Sequence, residues 1–132
     1  MSEQNTQIFQ QAYACFGEGN VPGILERLSE EVVWESRAHH TVPYAGHYKG
    51  KDQVVQFFQK LGESIEMQAF EPREFIAQGD RVVCLGYSKA KVLATGKMLE
   101  MEWVQVVTVQ NGKITRFTAY SDTAQEQEAF SR

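Results

Sequence analysis

The chain has 132 residues, 42% of them hydrophobic, which suits one domain spanning 1–132 with a single core and leaves no room for two. Thirteen basic and seventeen acidic residues are interspersed and give a net charge of −4, so no nucleic-acid partner held by bulk electrostatics is expected. No basic start precedes an apolar core and no apolar run approaches a membrane span, so no membrane association and a cytoplasmic location are expected.

Ile8, Phe9, Ala12, Cys15 and Phe16 recur at three- and four-residue spacing and predict an amphipathic helix over 6–16, ended by Gly17 and Gly19. After Asn20, a capping residue, Val21, Ile24, Leu25 and Leu28 make a second stripe, a short helix over 22–28. Residues 31–37 then alternate as a strand does, with Val32, Trp34 and Ser36 on one face and Val33 and Glu35 on the other. Residues 38–50 show no period and contain Pro43 and two glycines, which reads as a loop. That loop holds all three histidines, His39, His40 and His47, but neither HxH nor HxxxH, so no metal site is expected and they read as loop histidines or a polar group at a cavity mouth. Val54, Val55, Phe57, Phe58 and Leu61 define a third helix over 51–61, with an aromatic-rich face.

Strand patterns follow over 67–76, 81–94 and 98–109, punctuated by Gly79-Asp80 and Thr95-Gly96-Lys97. Asn111-Gly112 is a tight hairpin signal leading into a last strand over 114–120. A period of two along that strand puts Thr118, Tyr120 and Asp122 on one face, a carboxylate beside a phenol. Asp122 and Tyr120 are therefore the catalytic candidates. The same residues admit another reading, in which Asp122 or Thr123 caps a short terminal helix, with Thr123 and Glu126 spaced as a capping box. Cys15 and Cys84 lack CxxC spacing and read as buried free thiols.

The order of elements, with PYAGHYKGKDQVVQFF at 43–58, IAQGDRVV at 76–83, ATGK at 94–97 and NGKITRFTAYSDT at 111–123, resembles the SnoaL-like branch of the nuclear-transport-factor-2-like superfamily over nearly the whole chain. The resemblance implies an α+β cone: a strongly curved, mostly antiparallel sheet wrapped around three helices in the N-terminal half, with an apolar pocket between them. Fold alone does not fix the reaction. The positions used by steroid isomerases of this superfamily fall on Ala12, Ser36 and 103–105, and two of the three used by limonene-type epoxide hydrolases fall on Gly86 and Ser88, so neither set of groups is present. What matches is the polyketide-cyclase position at Asp122, with Gln105 where that branch often has a histidine; glutamine donates a hydrogen bond but cannot shuttle a proton.

Ligand contacts are expected from Trp34, Ser36, Tyr44, Tyr48, Phe58, Trp103 and Gln105, although each tryptophan also reads as plain core and each tyrosine as a backbone hydrogen-bonder. Glu100 and Glu102 share a strand face and read as a solvated pair or a second catalytic carboxylate. Three functions stay open: a cofactor-independent isomerase, cyclase, dehydratase or hydrolase acting on an apolar carbonyl compound; a non-catalytic module for an apolar small molecule; and a structural dimerisation domain. No cofactor is expected in any of them. Val104, Val106 and their neighbours on 81–94 offer an apolar outer face, which predicts a homodimer.

Overall fold

A computed structural model describes residues 2–132. Its elements run α1 (Ser2–Gly17), α2 (Val21–Glu26), β1 (Leu28–Arg37), β2 (Gly46–Lys49), α3 (Gly50–Ser64), β3 (Ile65–Gln78), β4 (Arg81–Val92), β5 (Met98–Gln110), β6 (Lys113–Tyr120) and α4 (Thr123–Phe130). The strands form one open sheet in the order β2-β1-β6-β5-β4-β3, in which β1 and β6 are parallel and every other pair is antiparallel. The expected α+β architecture, a curved and mostly antiparallel sheet with helices against its concave side, is the one observed.

Local chemistry explains the frame. Asn111 and Gly112 sit at φ 53° and 78°, and two consecutive left-handed residues are what a type I′ turn between right-twisted strands requires. Strand β3 carries register shifts at Met67/Ala69 and Pro72/Glu74; bulges of this kind bend a strand, and the proline is tolerated because β3 is an edge. On α1, Phe9 is the buried anchor of the apolar stripe, worth about 1.5–3 kcal/mol of transfer free energy.

Two boundaries differ from the sequence reading for physical reasons. Leu28 opens β1 rather than closing α2, because its backbone pairs with Ile114 of β6. Within the stretch read as loop, Gly46–Lys49 forms the edge strand β2, paired to β1 from Val33↔Lys49 to Ser36↔Gly46. Four residues are too few to show a period, and only the partner strand makes them regular.

Alternation along β4 and β5 sorts the two faces. Cys84, Gly86, Ser88 and Ala90 face inward opposite Gln105, Trp103, Met101 and Leu99. Toward the β3–β4 and β5–β6 turns, Val82, Val107 and Val109 fill the core. Toward the ends of β1 and β6 the helices and sheet part around a cavity.

Candidate functional site

The cavity has a volume of about 140 Å³ and aromatic walls. Trp34 stacks on Phe117 at 3.8 Å between ring centres and meets Phe57 and Phe58 at 5.5 Å. Trp103 stacks on Phe70 at 4.9 Å and lies flat across Gly86, where an added Cβ would stand 2.2 Å from the indole. The glycine is thus what lets the ring lie against β4. Both indole N–H groups are buried without an acceptor, at a cost of about 1–3 kcal/mol each, so the rings serve through area and not through their polar tips.

Polar groups enter this wall at two places. From α1, the Tyr13 hydroxyl donates to Oε1 of Gln105 at 2.7 Å, which leaves the amide NH₂ as the donating end of that side chain. Burial, reinforced by Cys84, holds the Tyr13 phenol well above its ordinary pKa, so it stays a neutral donor. The second place is the start of α4. Asp122 is the N-cap, accepting from the Gln125 N–H at 3.1 Å, and one turn later Glu126 points into the protein. Glu126 is 1% exposed and lines the cavity. Its Oε1 accepts from the backbone N–H of His39 and from the Ser121 hydroxyl, each at 2.9 Å.

Burial pushes the Glu126 carboxyl above its usual range, and the charge of Asp122 adds to this; the His39 N–H and the Ser121 hydroxyl pull back by stabilising the ionised form. No cation is among these causes. Tyr44, also in the lining, is raised by burial and then by the Glu126 charge. Helix α4 is pinned by Thr95 Oγ1 donating to Ala129 O at 2.7 Å and by the Lys97 ammonium donating to Glu128 O at 3.2 Å. Phe130 packs edge-on to Tyr44 at 6.3 Å, so the carboxyl is presented by an anchored element.

Six of the expected contacts, Trp34, Ser36, Tyr44, Phe58, Trp103 and Gln105, line the cavity. Tyr48 does not: it is core, donating its hydroxyl to Tyr44 O at 3.0 Å and packing on Phe57. Of the two readings of Asp122, the geometry is that of the cap: its carboxylate is exposed and accepts from the Gln125 N–H, and it does not line the cavity. Tyr120 stands at the rim, 45% exposed, with the Arg37 guanidinium 5.7 Å from its ring centre. Glu100 lies on the outer face, accepting a hydrogen bond from the Tyr87 hydroxyl. The histidine rings all lie outside the lining; His39 pairs with Thr41 and His47 with Glu35 on the convex face. Among the described residues, no group of three His, Cys, Asp or Glu side chains is placed to hold a metal.

Sequence reasoning passed over Tyr13, Ser88, Ser121 and Glu126. A signal existed for two of them. Phe9, Tyr13 and Phe16 repeat at helical spacing, and Glu126, Ala129 and Phe130 do the same on α4, which puts a carboxylate in an apolar stripe.

An open, curved six-stranded sheet with helices on its concave side and a cavity between them defines an NTF2-like α+β domain. The chain belongs to the SnoaL-like domain family, which matches residues 9–117. An NTF2-like protein from Burkholderia xenovorans is 31% identical, with a TM-score of 0.90 over 99% of this chain and 98% of that one. An NTF2-like protein from Burkholderia pseudomallei is 28% identical, at 0.88 over 100% of both. TerC, co-crystallised with polyporic acid, is 27% identical, at 0.84 over 96% of this chain and 98% of its own. No curated protein matches the sequence. No helix among the described residues is long and apolar enough to cross a membrane.

Proposed function

We propose that the protein binds a small apolar carbonyl compound and moves a proton on it with the Glu126 carboxyl, a cofactor-independent reaction of the isomerase or aldol-cyclase type. The observation behind this reading is Glu126 itself, an inward carboxyl in an aromatic cavity with only neutral donors on it. Desolvation raises its pKa, so acid and base forms coexist nearer neutrality, which suits a general acid/base. The cavity's other polar side chains are serines, Gln105 and tyrosines. One carboxyl suffices for a proton shift: the carboxylate takes the proton from the carbon beside the carbonyl, the enolate oxygen is stabilised by a donor such as the Gln105 amide, and the same carboxyl returns the proton to another carbon. Hydrolysis, which needs a water activated on one side and an acid on the other, fits less well.

The test is solvent exchange. Acetophenone or cyclohexenone incubated with the protein in D₂O should gain deuterium beside the carbonyl, and Glu126→Gln, which keeps both accepted hydrogen bonds but not the proton, should slow this at least about 100-fold. Exchange that survives the substitution would leave the cavity as a binding site only.

A homodimer through the convex face belongs to the same reading. Leu85 pairs with Val104 and Val83 with Val106 there, beside Ile76, which is 51% exposed. Light scattering at micromolar concentration should give twice the chain mass, and a monomer would refute it. A cytoplasmic setting fits the two buried free thiols, Cys15 and Cys84.

A further inference from the structure

A second concavity, of about 200 Å³, opens between the α1–α2 turn and the α3–β3 junction. Five of its eight lining residues, Phe16, Phe58, Leu61, Ile65 and Met67, also line the cavity, so the two spaces share a wall. The remaining three are Gly19, Val21 and Gly62. None of the eight carries a polar side chain. Of the shared five, only Ile65 is fully buried; Phe16, Phe58, Leu61 and Met67 remain partly exposed although they belong to the apolar faces of their elements. The wall between the two spaces is thus made of apolar residues.

The volumes decide what such an arrangement suits. A cavity of 140 Å³ is close to the roughly 150 Å³ space known to hold one benzene ring, so it takes a single ring or a short head and nothing longer. Polar groups of the cavity such as Glu126 and Gln105 orient that head, while the groove offers a further 200 Å³ with no polar side chain.

We infer that the groove is a tail subsite, and that the ligand is an amphipathic carbonyl compound whose head occupies the cavity and whose linear aliphatic chain parts the shared wall at Phe16 and Phe58, rings whose centres stand 6.2 Å apart without it, to lie along Val21 and Gly62. The groove's adjacency to the cavity across five shared residues points to a chain carried by the cavity's own ligand, and the lack of polar side chains disfavours a peptide or a second charged group. This rests on the reading of the Glu126 end as the head site, but it is tested separately.

The test is a series of alkyl phenyl ketones from acetophenone to octanophenone, titrated against the fluorescence of Trp34 and Trp103. Affinity should rise about fourfold per added methylene, the value of burying one CH₂, over at least four methylenes. Gly62→Leu is the matched variant: Gly62 lines the groove, is helical, and a Cβ there meets nothing within 4 Å, so the variant should fold with its added side chain at the groove. It should bind acetophenone as the parent does and lose the chain-length gain. Affinity that stays flat beyond acetophenone, or a gain undiminished in Gly62→Leu, overturns the subsite. If long ketones gain affinity in the Gly62-dependent way while deuterium exchange never depends on Glu126, the tail subsite stands and the head-site chemistry falls. Glu126-dependent exchange without any chain-length gain does the reverse, keeping the head-site chemistry and removing the subsite.

Discussion

Two carboxylates are buried on opposite faces of the same sheet, and their surroundings differ in kind. Glu35, on the convex face and 4% exposed, has Arg37 Nε at 3.1 Å, His47 Nε2 at 3.2 Å and Arg116 Nη2 at 4.0 Å. Glu126, on the concave side, has an N–H and a hydroxyl and, among the described residues, no cation. A carboxylate set between two guanidinium groups and an imidazole serves structure; one held by neutral donors in an apolar space has its charged form penalised. Strand alternation separates the two environments. Trp34 and Ser36 face the cavity and Glu35 between them faces out, so a one-residue slip of β1 would put the ionic cluster into the cavity.

The largest effect should come from breaking the concave side at its tightest point. In Gly86→Ala the new methyl collides with a rigid, buried indole, so Trp103 must leave β4 and enter the cavity. Urea denaturation should show a loss of about 1–3 kcal/mol, together with weaker ketone binding. An unchanged midpoint would mean that the indole has room to move. A smaller effect is expected on the convex side, where Glu35→Gln removes the shared anion. The side chains left behind are 52–72% exposed and rehydrate, so the loss should be about 1 kcal/mol or less, with ketone exchange untouched. Smallest of all is Asp122→Asn. Asparagine caps as well as aspartate does, so stability should move by less than about 1 kcal/mol and exchange should continue. Loss of exchange in that variant would return the catalytic role to Asp122.

These contrasts also mark what the sequence can reveal. Periodicity exposed α1, α3 and the four long strands because each buries one face against a continuous core, and Asn111-Gly112 announced its hairpin because few other residues accept its backbone angles. Strand β2 stayed hidden because its regularity is borrowed from β1. The aromatic wall was legible, since large rings at inward strand positions have few other destinations. The carboxyl carried a weaker signal, its place in the stripe Glu126, Ala129, Phe130. Asp122 and Glu126 lie one helical turn apart, and which of them faces in depends on where α4 begins, a boundary marked by the Asp122 cap on the Gln125 N–H and by the first helical bond, from the Glu126 N–H to Asp122 O. Tyr13 was passed over because it adjoins Ala12, the position that the family resemblance pointed to; the stripe Phe9, Tyr13, Phe16 was the better guide.

The central claim is that Glu126 is the proton-carrying group of the cavity, and its own titration tests that most directly. The side-chain carboxyl carbon, assigned by comparison with Glu126→Gln and followed by NMR, should titrate above the ordinary glutamate range because burial penalises its charged form. The sign carries through to stability. A raised folded-state pKa favours the folded protein at low pH, and this advantage is lost as pH rises from the ordinary glutamate value through the folded one, so Glu126→Gln should gain stability relative to the parent across that window. A Glu126 midpoint at or below the ordinary glutamate value, with no such pH-dependent gain, would contradict the account.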